Sequence, residues 1–458
     1  MCGRTSVRRA KGASARWGKM TTVPVSPLFR YRSWVLPLLA IICAGGMWTY
    51  VNRVMISHQI SDAAAHGRPR GNLSDLYPHW IGARELLLHG RDPYSPEVTR
   101  EIQQGYYGRP LDPAVPGDPR DQQGFAYPVY VAFYLAPTIH LPFELVRKGF
   151  FWVLLGLTLA TVPLWLRVLH WSVPVWEQVS LMVFTVGSLT VVQGLKLQQM
   201  TLLVVALLAV AMALLASDCP IAAGIALALT TIKPQLVWLL LLCLMIWTLA
   251  DWRRRYRWAV SFLLTMAILC VASEWYLPHW ISRFVEAMRR YLNYTDAVSI
   301  LDLTVPAPWG WMSQVLVIAA TVRIVWKNRR FAEGTPAFAA IVSLALAVTV
   351  IVIPSYALYN QVMLLPALLM LLRDRQTIWN RNRMSRVLLS LAAILLAWPW
   401  LASIALACLS FVLPPELVER AWMVPGWTVL QIPLAVAALM LIHYYQRTNS
   451  APVRPVTS

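Results

Sequence analysis

Apolar residues in this chain come in long unbroken blocks, without the alternation of strands or the 3.6-residue rhythm of soluble helices. The first block covers 19 residues, Ser33 to Val51. Others fall near 125–141, 149–168, 177–193, 200–216, 220–232, 235–250, 258–274, 308–326, 335–353, 359–373, 386–409 and 426–445. Blocks of this length predict membrane-spanning helices. With both chain ends on one side of the bilayer the number of crossings must be even, so one block does not cross. The block 125–141 carries Pro128, Pro137 and His140 and predicts a re-entrant or interfacial segment. The expected fold is an all-α polytopic membrane protein with about twelve transmembrane helices. No internal repeat is visible, which weighs against an inverted-repeat transporter.

Polar sequence is concentrated in two places. The stretch of about 52–124 holds eight Arg and nine acids, and a second stretch covers about 275–307. Loops this long between spans are often functional. Composition agrees with the block pattern: 58% of residues are hydrophobic and 13% charged, where soluble domains carry about 25% charged residues. Soluble, disordered, fibrous and disulfide-stapled classes are excluded together.

The net charge of +19 has a topological cause. Lys and Arg gather in short cytoplasmic segments, so no nucleic-acid partner is expected. An arm over residues 1–33 has eight basic residues and no acid, with Met20 as an alternative start. Basic breaks recur at Trp252–Arg257, Lys327–Arg330, Arg373–Arg386 and in the tail at Arg447 and Arg454. Both termini are therefore expected in the cytoplasm, and the stretches 52–124 and 275–307 outside, with the turns near 354–360 and 410–425. Cys2, Cys43, Cys219, Cys243, Cys270 and Cys408 have no metal or redox spacing and read as small apolar residues.

Polar groups at the membrane edge are costly and mark candidate sites. In the first outer loop, N-L-S-D-L-Y-P-H-W-I-G-A-R-E-L-L-L-H-G-R-D-P-Y (72–94) predicts an amphipathic helix that starts after Ser74-Asp75 and ends at Gly90, with Trp80, Ala83 and Leu87 on one face. Asp75 has two readings: a capping carboxylate, or a general base at an outward-facing site. His79 is its neighbour one turn on. In A-G-I-A-L-A-L-T-T-I-K-P-Q (223–235), Lys233 interrupts two apolar runs near the outer face. It is either a snorkelling lysine or a fixed cation for a lipid phosphate. Lys196, Gln198 and Gln199 form another outer break, and the turn 355–361 presents Tyr356, Tyr359 and Asn360. The charges of 275–307, His279 to Asp302, read mostly as solvated. No D-x-D pair, glycine-rich phosphate loop, H-E-x-x-H or G-x-S-x-G is present, so an enzyme built from these parts would work without a metal on a substrate delivered in the membrane.

The order of these motifs resembles glycosyltransferase family 87, of the GT-C superfamily. The resemblance covers roughly 34–375 and rests on five features. These are Asp75 with the A-R-E-L-L-L-H-G-R-D-P-Y run, F-A-Y-P-V-Y at 125–130, Gln199-Met200-Thr201, Lys233-Pro234, and the tyrosine-rich turn at 355–361. It divides the chain into the arm 1–33, a GT-C module 34–375, and C-terminal helices with a short tail, 376–458. It implies a GT-C fold and transfer of mannose or arabinofuranose from a polyprenyl-phosphate donor to an envelope glycolipid or glycan, outside the plasma membrane and without a metal. By matching position, Asp75 would be the base and Lys233 the family's Lys-Pro lysine; among fixed cations for the donor phosphate Lys233 is the first choice and Arg84 the second. His79, Tyr127, Gln199, Tyr356 and Tyr359 would contact substrate. Three positions depart from the family pattern. Tyr-Pro-Pro reads Tyr127-Pro128-Val129, Gly-Gln reads Gln198-Gln199, and Tyr356 or Tyr359 stands where many members have His, which leaves the acceptor contacts open.

Chemistry agrees with the implied activity. A sugar on a lipid monophosphate needs an aligned acceptor oxygen, a base for its proton and a fixed cation for the leaving phosphate. A transporter or lipid flippase would line mid-bilayer with charge, whereas here polar residues collect at the outer edge. An O-antigen polymerase or ligase would place its catalytic Arg/His set in a late loop, whereas here the largest loop is the first.

Overall fold

The computed structural model of the protein describes residues 34–67, 74–112, 114–115, 118–295, 297–354 and 356–450, the last six by backbone only. The basic arm 1–33, Arg68, Arg70, Asp296, Ser355 and the basic tail lie outside the described residues and side chains. Among the described residues every regular element is helical.

Among the described residues, six helices have the length and hydropathy to cross a bilayer: Val35–Ala65, Phe143–Val168, Trp252–Tyr276, Trp309–Lys327, Arg383–Leu409 and Pro415–Tyr444. Val175–Val186 and Leu189–Lys196 form a pair bent by 61°. The bend falls at Gly187-Ser188, where the Ser188 hydroxyl accepts the Val191 N–H and starts the second helix. Met200–Ala216, Pro220–Ile232, Pro234–Leu249, Pro336–Val352 and Leu358–Arg373 are shorter and apolar. Several long helices show large apolar side chains outward, among them Trp152, Ile268, Val271, Trp275 and Leu316, a surface suited to lipid.

Two sequence expectations are corrected and a third holds. The opening helix does not stop at Val51. It continues through a π segment, Val51–Met55, to Ala65, because no Gly or Pro interrupts it before Gly67. The block 125–141 makes no spanning helix, only Val131–Leu135 and the turn Ala136–Thr138, and this agrees with its prolines. The first-loop helix, Leu76–His89, ends as expected at Gly90, whose φ of 64° is left-handed and whose N–H bonds back to Leu86. It is not amphipathic. Pro78, His79, Trp80, Gly82, Glu85 and Leu86 are all buried, since flanking segments close over it. The Trp80 indole donates to the Thr138 carbonyl at 3.2 Å, and Tyr77 meets Phe143 edge-on with ring centres 4.8 Å apart.

The molecule has two chemically distinct ends. At one, buried Arg255 donates to the carbonyls of Trp247, Arg329 and Phe331 at 2.6, 2.7 and 2.9 Å, and Arg254 pairs with Glu333 at 3.0 Å. The basic breaks 252–257 and 327–330 thus meet. Asp374, beside Arg373, bonds His443 at 2.9 Å. Lys233 stands at the other end of the helix Pro234–Leu249 from that basic cluster, about 24 Å along its axis at 1.5 Å per residue.

Candidate active site

Asp75 sits at the N-terminal boundary of the helix Leu76–His89 with helical dihedrals, φ −65° and ψ −11°, and its side chain makes no cap bond. Ser74 caps instead: its hydroxyl accepts the Leu76 N–H at 3.1 Å and donates to the Leu197 carbonyl at 3.1 Å. The capping reading of Asp75 is therefore overturned. The Asp75 N–H also bonds Leu197 O, at 3.0 Å, which docks the helix start onto the Lys196–Gln199 break.

That docking brings three sequence-distant residues into one chain of bonds. Lys233 donates from Nζ to Gln199 Oε1 at 2.8 Å and to Thr201 Oγ1 at 2.9 Å. Gln199 donates from Nε2 to the Asp75 carboxylate. The amide orientation is fixed by chemistry, because an ammonium can only donate and a carboxylate can only accept. Gln199 thus separates cation from base while coupling them. Lys233 lies 5.5 Å from the Tyr127 ring centre and 5.1 Å from that of Tyr359, so aromatic faces partly compensate a buried ammonium with no directly bonded carboxylate. Two of its three N–H groups are engaged by the bonds above, and the third is left for the cavity.

The cavity, of about 110 Å³, is lined by Asp75, His79, Tyr127, Gln199, Lys233 and Tyr359, together with Asp121, Gln123, Gln235, Met288, Tyr291, Tyr294 and Asn360 among others. Thr201 holds Asn360 Oδ1 at 3.0 Å. His79 lies against Tyr127, with ring centres 3.8 Å apart, and its Nδ1 is buried without a hydrogen-bond partner. Burial, helped by the Lys233 charge, drives the His79 imidazole down to about 3, so it is neutral at working pH and can take either hydrogen-bonding role toward a ligand. Burial raises the Asp75 carboxyl to about 6. The Gln199 bond opposes that rise, Asp121 adds to it and Lys233 pulls the other way. A base tuned to that range is ionised at neutral pH yet holds a proton better than an ordinary carboxylate.

Arg84 and Tyr356 are placed elsewhere. The Arg84 guanidinium lies 5.5 Å from the Trp80 ring centre, and Tyr356 bonds through its backbone to the Val298 carbonyl at 3.2 Å; neither lines the cavity. Sequence reasoning missed Asp121, Met288, Tyr291 and Tyr294. Burial raises the Asp121 carboxyl, while the Gln123 N–H, 2.9 Å from it, opposes the rise. The turn it anchors holds Gln123 at φ 54°, and Gln198 beside the coupled amide is at φ 49°, two strained backbones flanking one site. Met288, Tyr291 and Tyr294 recur at three-residue steps along Trp280–Tyr294, a stripe visible in the sequence beneath its charges. Among the described residues no three His, Cys, Asp or Glu side chains cluster as metal ligands.

The family model for glycosyltransferase family 87 matches residues 125–354, half of the chain, including Tyr127, Gln199 and Lys233 but ending before Tyr359. Asp75 lies before the matched segment. No curated protein and no solved structure matches the chain.

Proposed function

The chain belongs to glycosyltransferase family 87, a membrane glycosyltransferase with several apolar helices, and from that premise we propose that it moves a hexose, mannose first, from a polyprenyl-phosphate donor to a hydroxyl of an envelope glycolipid or glycan. Asp75 removes the proton of the acceptor hydroxyl as its oxygen attacks the anomeric carbon. The carbon–oxygen bond to phosphate breaks, its electron pair leaves with the phosphate, and the anomeric configuration inverts. Lys233 meets the charge that develops on the phosphate, and no metal takes part. The observation that carries this reading is the Lys233–Gln199–Asp75 chain in one small cavity. An ammonium bonded directly to the carboxylate would depress the base and spend the cation, and the amide between them keeps both available.

Two features support a lipid-linked donor. The turn Leu358–Leu364 separates two environments: Tyr359 and Asn360 line the polar cavity, while Leu358 and Gln361 line an apolar groove of about 190 Å³. That groove shares Leu368, Leu372 and Leu396 with a second, adjoining apolar cavity of about 350 Å³, surfaces whose chemistry suits an isoprenoid tail. The polar site lies at the end opposite the basic clusters, which the positive-inside rule assigns to the cytoplasm, so transfer belongs on the outer face of the plasma membrane. Counting the bent pair and the five shorter apolar helices as crossings alongside the six long ones gives twelve spans, with both ends inside.

The test is transfer of label from polyprenyl-phosphate-[¹⁴C]mannose to a membrane lipid extract by purified protein, with and without EDTA. Transfer that EDTA leaves intact is expected. Transfer from the arabinofuranose donor alone would change the sugar and keep the mechanism, and no turnover of any polyprenyl-phosphate sugar would overturn the reading. Gln199→Leu breaks both bonds at nearly constant volume. The Asp75 carboxylate then loses the hydrogen bond that favours ionisation, so the acid limb of the rate should move above pH 6 and kcat at neutral pH fall about tenfold, the kinetic equivalent of a hydrogen bond to a charged group. A pH–rate series on the variant checks it.

A further inference from the structure

The cavity around Asp75, about 110 Å³, holds reacting atoms but not an oligosaccharide, since ligand pockets usually run to about 300–1,000 Å³. A second cavity of about 550 Å³ adjoins it, enclosed by the helix Pro96–Tyr107, the segment 118–125 and the helix Trp280–Tyr294. Gly124 and Tyr294 line both. The partition is held from behind: Tyr107 Oη donates to the Asp121 carbonyl at 2.8 Å and Gln103 Nε2 to that of Gln122 at 3.1 Å. The facing helix is tied to the first loop by Arg283–Asp92 at 2.6 Å and by Arg290 to the Tyr94 carbonyl at 3.3 Å. The cavity is therefore pre-formed by two outer segments that are distant in sequence.

Its chemistry differs from that of the groove behind Leu358. Arg100, Arg290, Asp112 and Asn293 alternate with the rings of Tyr94 and Phe125. Hydrogen-bonding side chains beside aromatic faces suit sugar rings, which carry hydroxyls on their edges and C–H groups on their faces. An isoprenoid chain there would desolvate the polar groups and return nothing.

We propose that this cavity is the acceptor cleft and that it takes the end of a hydroxyl-rich glycan, whose reacting hydroxyl reaches Asp75 between Gly124 and Tyr294. The assignment rests on the transferase reading above and extends it to the substrate that reading leaves open. Gly124 and Tyr294 form the wall the two cavities share, where the Gly124 backbone bonds the Tyr294 hydroxyl, and that contact is what the acceptor must displace. A Cβ added at Gly124 would meet Tyr294 Oη at 3.6 Å, an ordinary contact, and its φ is not left-handed, so the backbone accepts a side chain while an indole would fill the passage.

Gly124→Trp is compared with wild type using polyprenyl-phosphate-[¹⁴C]mannose, scoring label moved to a total glycolipid extract and label released to water. Hydrolysis needs no acceptor cleft, so the ratio of transfer to hydrolysis should fall at least tenfold. Misfolding would lower both products together and leave the ratio alone. Asn293→Trp fills the cleft away from the aperture and should raise the KM for the extract severalfold. An unchanged ratio in Gly124→Trp, with an unchanged KM in Asn293→Trp, overturns the cleft. A wild type that turns over no polyprenyl-phosphate sugar overturns the transferase reading itself, and the cleft with it.

Discussion

Replacing Asp75 by Asn should lower sugar transfer by about 10²–10⁴, the usual cost of removing a positioned general base, in a protein that still folds. The structure gives reasons for both halves. Ser74, not Asp75, accepts the Leu76 N–H, so the helix Leu76–His89 keeps its cap. The Gln199 amide that donates to the carboxylate can donate equally to the Asn oxygen, so the Gln199 donor keeps its partner. What disappears is the ability to accept a proton. The wild-type pH dependence provides a second reading. A base whose pKa lies at about 6 must be ionised to work, so the rate should rise tenfold per pH unit below 6. Residual turnover by Asp75→Asn should lack that limb. Full activity with the limb retained would move the base to Asp121, the other carboxylate in the cavity.

Much of the fold was legible because lipid imposes a coarse rule: an apolar block long enough to cross becomes a helix. That rule fails where length and composition stop deciding. The block 125–141 is apolar enough to span, and only its prolines marked it as non-crossing, as the short helix Val131–Leu135 bears out. The opening helix passes Val51 because nothing in Asn52-Arg53 breaks a helix. The site divides along a similar line. Asp75, Gln199 and Lys233 were readable as costly polar groups at apolar edges, and motif order linked them. Their hydrogen-bonded chain was not, because it depends on how Leu197 docks against residues 74 and 75. Asp121 was hidden among nine acids of the first loop, where sequence does not separate a buried carboxylate from a solvated one. The tyrosines of Trp280–Tyr294 were masked by the charges interspersed with them on the same helix.

Lys233→Met should lower kcat by about 10²–10³, the loss commonly seen when one fixed donor to developing transition-state charge is removed. Met preserves an unbranched stem against the Tyr127 and Tyr359 rings, so packing is retained and the lost quantity is the charge. The same change acts at a distance on the base. Lys233 is a positive charge that favours ionised Asp75. Its removal raises the carboxyl pKa further, since an opposite charge stabilises the ionised form. The acid limb should therefore move above pH 6, and the deficit of the variant should be larger at pH 6 than at pH 8. A lysine that merely filled space would produce a deficit independent of pH, with the limb still near 6. Arginine should rescue poorly, because its broad guanidinium needs more room than a cavity of about 110 Å³ offers and donates in a fixed planar fork, where the ammonium directs single bonds to Gln199 and Thr201. Measuring kcat for wild type, Lys233→Met and Lys233→Arg between pH 5 and 8 separates these outcomes, because each role of the lysine changes a different feature of the profile: its height, its midpoint, or both.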